Sequence, residues 1–336
     1  MKKTESQHSE TPSLHHSKFL VIRGGAIGDF ILTLPTLGAL RERHPQARIE
    51  ILGYPHIAEL ARGRYYADAV RSISYGPMSQ FFVPNSILDS DLMGYFGSFD
   101  VVISYFFDPD GIFAENLRRC GIKTLLTASA KPINTHAVEH FGLALESLGI
   151  ELSGLSPKVY FTKEDQVAAD RFYRTCNVNP GHSKIAAVHP GSGSDRKNWP
   201  LERWIDTVQW LRDEQQCKIL LTLGEADDET AAELKPFADI VAENLPLSEL
   251  AAILARAALY IGNDSGITHL AAASGTPVMA LFAVTDPSIW RPRGENVRMI
   301  FRAEEWSGSN PCPLGTMVDV PAKLVQRISA EMLNSK

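Results

Sequence analysis

Ser265, Gly266, Thr268 and His269 stand within about one helical turn of one another, directly after an apolar segment (residues 258–261) and the polar turn Gly262-Asn263-Asp264. A helix opening there presents unpaired backbone N–H groups and the positive end of its dipole, which suits a phosphate. Gly266 lets that backbone come close to a ligand. His269, one turn beyond Ser265, shares its face and can donate to an oxyanion. The same residues also suit a plain cap, with Asp264 or Ser265 accepting from the first N–H groups of the helix.

Two other loops fit the same chemistry. Arg23-Gly24-Gly25-Ala26-Ile27-Gly28-Asp29 follows an apolar run and sets a carboxylate at a helix start. Asp29 reads either as a cap or as a general base that takes a proton from a hydroxyl, and a helix N-terminus favours its charged form. Ser192-Gly193-Ser194-Asp195-Arg196-Lys197 offers hydroxyls, backbone N–H groups and two cations. A lone basic pair is more often a solvated face. Set opposite Ser265, Gly266 and His269, however, this loop would close around a diphosphate and supply the positive charge that a leaving nucleotide needs. No Asp-x-Asp pair stands near these loops, so the charge compensation reads as metal-free. The glycine spacing is not G-x-G-x-x-G, and the second apolar segment ends Leu52-Gly53-Tyr54 without an acid to hold a ribose, which argues against a nicotinamide site.

Composition bounds the partners. At 336 residues the chain exceeds the usual size of one core, so two domains of ~150 residues are expected. Its net charge of −6 argues against nucleic acid. Residues 1–150 carry 14 basic against 15 acidic side chains, so the acidity lies in the second half and an anionic partner would meet the first. No run of ~18 apolar residues exists to span a bilayer. Cys120, Cys176, Cys217 and Cys312 are scattered, which suits a reducing cytoplasm and gives no zinc signature. Residues 1–17 are polar, contain His8, His15 and His16, lack the apolar core of a signal peptide and read as a disordered leader.

The elements that must position these loops follow from the apolar pattern. Lys18-Phe19-Leu20-Val21-Ile22 reads as a buried parallel strand feeding a helix through Phe30, Leu34 and Leu37, with Pro35 expected to kink that helix or lie in its first turn. Residues 49–53, 69–74, 101–105 and 123–126 are further strands, separated by helical or turn-rich segments. After a boundary near residues 149–157 a second series begins: strands at 184–189, 218–223, 258–261 and 278–282, and helices at 199–215 and 247–257. Such alternation predicts doubly wound parallel sheets, whose ligands sit at the carboxyl ends of the strands, where all three loops fall. Residues 322–333 have an apolar helical face, Leu324, Val325, Ile328 and Met332, which should pack on the body.

Taken together, Arg23-Gly24-Gly25-Ala26-Ile27-Gly28-Asp29 with Leu34-Pro35, His189-Pro190-Gly191-Ser192 leading to Lys197-Asn198-Trp199-Pro200, the block from Gly262 to Ala272, and Gly275-Thr276-Pro277 with Thr285-Asp286-Pro287 resemble glycosyltransferase family 9, the lipopolysaccharide heptosyltransferases. The resemblance implies an α/β GT-B fold: two Rossmann-like, doubly wound parallel-sheet domains facing a cleft. They would be an acceptor-binding domain over residues 18–155 and a nucleotide-sugar-binding domain over 156–320, with a C-terminal helix, 321–336, crossing back. It implies an inverting, metal-independent transfer of heptose from ADP-heptose to a lipopolysaccharide core or related glycan, with no cofactor. By position Asp29 matches the catalytic base and Lys197 the phosphate-binding lysine. Arg23, Ser192, Gly193, Ser194, Asp264, Ser265, Gly266 and His269 fall around the donor diphosphate, and Asp228 or Glu229 where an acid meets the ribose. His136-Ala137-Val138-Glu139 echoes a first-domain motif, or simply begins a helix. Arg62, Arg64, Arg118, Arg119, Lys123 and Lys131 are candidates to meet an anionic acceptor. The partners implied are the nucleotide-sugar and a glycan or lipid-linked acceptor, with no nucleic acid, and the expected location is the cytoplasm with at most peripheral contact at the inner membrane. The rival readings are a nucleotide-dependent dehydrogenase or epimerase on paired Rossmann domains, and a non-catalytic nucleotide-sugar-binding protein. The presence of both Asp29 and Lys197 argues for catalysis.

Overall fold

The structure, a computed structural model, describes residues 17–152, 155–224, 229–302, 304–305 and 315–335. The first domain runs β1 (Lys18–Arg23), α1 (Ile27–Arg43), β2 (Arg48–Gly53), α2 (Pro55–Ala58), β3 (Ala69–Ser72), α3 (Ser90–Gly97), β4 (Val101–Ser104), α4 (Ile112–Arg118), β5 (Thr124–Thr127) and α5 (Ala137–Gly142). Its strands pair in the order β3-β2-β1-β4-β5, all parallel. The second domain runs α6 (Lys163–Thr175), β6 (Ile185–His189), α7 (Leu201–Asp213), β7 (Lys218–Leu223), α8 (Glu229–Ala232), β8 (Ile240–Glu243), α9 (Leu247–Leu254), β9 (Leu259–Asn263), α10 (Gly266–Ala273), β10 (Val278–Phe282), α11 (Pro287–Trp290), β11 (Val297–Phe301), β12 (Glu304–Glu305) and α12 (Ala322–Asn334). Its order is β12-β11-β10-β9-β6-β7-β8, parallel except for the β12 edge.

Strand order reverses between β1 and β4 in the first sheet and between β6 and β9 in the second. Such a reversal leaves a crevice outside the strand ends. The first one holds the Arg23–Asp29 loop, and the second brings the loops after His189 and Asn263 side by side, with His189 registered on Gly262.

Both faces of each sheet are covered, which is why β1, β4, β6 and β10 are apolar almost throughout rather than alternating. One core cluster lines the facing sides of both domains and joins α1 residues (Phe30, Leu34) to α9 and α10 residues (Leu250, Leu270) without a break. A second lies between the outer face of the second sheet and α7 and α12, where Val325, Ile328 and Met332 are buried. The C-terminal helix is therefore held by the second domain. The third cluster, Phe81, Leu92, Phe96 and Phe113, covers the outer face of the first sheet, so the stretch 76–97 is divided, with Phe81 and Phe96 in the core and Phe82 exposed.

One local expectation is narrowed and one needs correction. Pro35 is the ninth residue of α1, which excludes the first turn and leaves the alternative of a proline inside the helix. The basic side chains offered to an acceptor are largely engaged elsewhere: Arg62 with Glu59, Arg64 with Asp165, Arg118 with Glu115, and Lys123 with Asp100. Arg64 Nη2, which donates to both Asp165 carboxylate oxygens at 2.8 and 2.7 Å, ties the first domain to the capping turn of α6. That helix was not read from the sequence, although Thr162-x-x-Asp165 is the spacing of a capping box. Residues 1–16, Asp228 and Cys312 lie outside the described residues.

Candidate active site

The start of α1 and the start of α10 abut. A Cβ built on Gly266 would stand 2.6 Å from Ile27 Cβ and 3.1 Å from the Gly28 nitrogen, and one on Gly28 would stand 3.1 Å from the His269 ring. Gly266 was expected to admit a ligand. What its missing side chain admits is the backbone of the other domain. Asp29 follows Gly28 and Ser265 precedes Gly266, so this contact fixes the acid of one domain beside the polar block of the other.

Asp29 lies in the first turn of α1 with its side chain 26% exposed. Its Oδ2 accepts from the Ala26 N–H at 3.1 Å, closing the loop over Gly25, whose φ of +107° only glycine adopts readily. Its Oδ1 faces the Arg23 guanidinium at 3.4 Å. Arg23 itself is buried, and its Nε and Nη2 are spent on Thr33 and on the Asp29 carbonyl. That placement contradicts the expectation of a phosphate ligand at Arg23: the guanidinium lies behind the Asp29 carboxylate, beneath α1.

In the second domain Ser265 is the N-cap of α10, accepting from the Thr268 N–H at 3.4 Å. Thr268 donates to the Asn263 carbonyl at 2.5 Å and contacts the Tyr260 hydroxyl at 3.1 Å. The Asn263 amide donates to the Pro190 carbonyl at 2.5 Å, sewing the two crevice loops together. Asp264 sits on Lys197, Nζ to Oδ2 at 2.7 Å, and takes the Thr285 hydroxyl on the same oxygen. The Lys197 cation is thus aimed by a carboxylate.

The Ser192 hydroxyl is turned inward, to the Ser194 carbonyl at 2.8 Å and Asn198 Oδ1 at 2.7 Å, which holds the 192–198 loop in shape. Gly193 borders open space, and Ser194 donates its N–H to Ser192 at 3.3 Å before the 3-10 turn Asp195–Lys197. The side chain of Glu229, like Asp228, lies outside the described residues.

His269 is 5% exposed and burial pushes its pKa down to about 4, with the carboxylates of Asp264 and Asp29 opposing that and Lys197 reinforcing it. It is therefore a neutral imidazole near pH 7. Its Nδ1 and the Asn263 Oδ1 are buried with no hydrogen-bond partner among the described residues. His136, which caps α5 through Nδ1, reaches Arg291 O of the second domain through Nε2 at 2.9 Å. Glu139 pairs with Arg293. These contacts form a second bridge between the domains. Sequence reasoning passed over Arg291, Arg293 and Thr33, because their partners are remote or belong to helix packing.

Two Rossmann-like domains that meet at the carboxyl edges of their sheets, with an acid on one side and a lysine-bearing, amide-rich pocket on the other, define the GT-B class of glycosyltransferase. The sequence profile of glycosyltransferase family 9 (heptosyltransferase) matches residues 113–313, and the chain belongs to that family. Lipopolysaccharide heptosyltransferase 3 of Escherichia coli (strain K12) is 26% identical, over 90% of this chain and 92% of the relative. The crystal structure of the glycosyl transferase family 9 from Veillonella parvula DSM 2008 superposes with a TM-score of 0.78 at 19% identity, covering 96% of this chain and 99% of that one. The E. coli ADP-heptose lps heptosyltransferase II structure does so at 0.74 and 16%, covering 94% and 98%.

Proposed function

We propose that this glycosyltransferase moves heptose from ADP-heptose to a lipopolysaccharide core or related glycan, with inversion and without a metal ion. The observation that carries the reading is the abutment of α1 and α10, which puts Asp29 and the Lys197–Asp264 pair within electrostatic reach of the same ring, His269. Asp29 takes the proton of an acceptor hydroxyl. The hydroxyl oxygen bonds to the anomeric carbon as the bond to the diphosphate breaks, and the electron pair leaves with the phosphate. Attack from the face opposite the leaving group inverts the centre.

Lys197 and the N–H groups of Ser265 and Gly266 at the start of α10 take up the charge on the departing diphosphate. The Asp264 carboxylate would repel a phosphate directly, so its part is to aim Lys197. His269, neutral, serves as an N–H donor rather than a charge. The sugar class and the lipopolysaccharide acceptor are carried over from the relatives named above. Asp228 and Glu229 remain proposals for the ribose.

No helix among the described residues is long and apolar enough to cross a membrane. For a lipid-linked acceptor we place peripheral membrane contact on the first domain. Its connections after β3, β4 and β5 carry Phe82, Val83, Ile87, Phe107 and Ile133, all exposed, with Lys131 over the Phe107 ring at 4.5 Å. The working location is then the cytoplasmic side of the inner membrane.

A calorimetric panel of ADP-, UDP-, GDP- and CDP-sugars, followed by NMR of the anomeric centre formed with and without EDTA, tests the reading. Tight binding of a different nucleotide, a retained configuration or loss of turnover in EDTA would each overturn the corresponding part.

A further inference from the structure

We propose that Arg23 is a positioning residue for the transfer: it holds the Asp29 carboxylate and the first turn of α1 in the geometry from which the acceptor hydroxyl is deprotonated. The proposal rests on the reading of Asp29 as the base. Arg23 is the last residue of β1, and its side chain runs back beneath α1. Nε donates to Thr33 Oγ1 at 3.0 Å, and Nη2 donates to the Asp29 carbonyl at 3.1 Å while facing Asp29 Oδ1 at 3.4 Å. The Thr33 hydroxyl in turn donates to the same Asp29 carbonyl at 2.8 Å. The base is therefore gripped through its main chain by two donors and through its side chain by the guanidinium.

The surroundings argue that the charge is there for Asp29 and not for packing. Arg23 is 3% exposed, its guanidinium lies 4.3 Å from the centre of the Phe141 ring and 5.7 Å from that of Tyr105, and the Tyr105 hydroxyl is anchored on the Phe141 carbonyl at 2.6 Å. A methionine would fill such an aromatic slot without the desolvation that a buried cation suffers. The contact with the carboxylate is also loose and one-sided. A bidentate fork would engage both carboxylate oxygens, whereas here, among the described residues, Oδ2 is bound only by the Ala26 N–H and Oδ1 meets Arg23 beyond ordinary hydrogen-bond length. That leaves the carboxylate aligned, with Oδ1 held by no short hydrogen bond among the described residues.

The test is a double-mutant cycle on the full chain, read as kcat and as donor affinity by calorimetry. Arg23→Met should lower kcat about 10- to 100-fold and leave the donor Kd within about twofold, and Arg23→Lys should recover part of the loss. In an Asp29→Asn background the same Arg23→Met change should cost nothing further, because Arg23 acts only through that carboxylate. Equal losses in both backgrounds, or a parallel loss of donor affinity, would overturn the proposal in favour of a structural or phosphate-binding role. If Arg23→Met does not fold, the near-isosteric Thr33→Val enters the same cycle with the same two outcomes at a few-fold effect. Should Asp29→Asn alone keep its turnover, the base assignment fails first, and that result is distinct from a cycle that merely fails to close.

Discussion

The junctions β1–α1 and β9–α10 are built alike and present opposite charges. Each is a buried parallel strand that ends in a polar or glycine-rich turn and opens a helix N-terminus on the gap between the domains. At the first junction the cation, Arg23, is buried behind the turn and the carboxylate of Asp29 is partly exposed in front. At the second the carboxylate, Asp264, is the buried partner and Lys197 the more exposed one, with side chains 9% and 27% exposed. The partner placed behind each group decides which charge the same backbone device presents.

Two substitutions test that contrast, the larger effect first. Asp29→Asn should lower kcat by about 10²- to 10⁴-fold with nucleotide affinity nearly unchanged. A variant that kept most of its turnover would sink the assignment of roles. Lys197→Met should lower kcat by about 10²- to 10³-fold and, unlike the first, should also weaken nucleoside diphosphate binding in calorimetry. If the two variants showed the same profile, the junctions would not differ as described.

Gly266→Ala should lower stability by about 1–3 kcal/mol and reduce transfer, because the added Cβ meets Ile27 and the Gly28 backbone. Gly193→Ala, which borders open space, should leave the melting temperature unchanged. Equal melting curves for the two would show that the α1–α10 contact does not fix the domains.

The last effect, felt only below about pH 6.5, is a pH dependence shared by the two buried imidazoles. His136 is pushed down to about 4, first by burial and then by Arg293, while the hydrogen bond to the Arg291 carbonyl and the Glu139 carboxylate oppose the shift; His269 is also pushed down to about 4. The unfolded chain takes up these protons near pH 6.5 and the folded one does not until about pH 4, so stability is complete above 6.5 and declines as pH falls towards 4. The decline is on the order of 3 kcal/mol for each site. His136→Asn, which can still cap α5, should make thermal melting less steeply dependent on pH across that window. An unchanged slope would remove His136 from the account.

The sequence alone determined the parallel strands, because a sheet covered on both faces leaves continuous apolar runs such as Phe19-Leu20-Val21-Ile22 and Val278-Met279-Ala280-Leu281. It also marked the loops after β1, β6 and β9, where glycine and hydroxyl residues interrupt those runs. It did not reveal β8 or β11, since Ile240-Val241-Ala242-Glu243 is short and Val297-Arg298-Met299 carries a charge.

Only the tertiary structure decided what stands behind each loop. Arg23 could have faced a phosphate as far as spacing tells. Its direction is set by the aromatic slot of Tyr105 and Phe141, which come from the residue after β4 and from α5, more than eighty residues away. Gly266 likewise reads as a ligand glycine in the chain and proves to be the seat of Ile27. Local pattern records which residues can do chemistry, because it follows from backbone period and side-chain type. The direction in which they act depends on desolvation and pairing, and those exist only once distant segments pack.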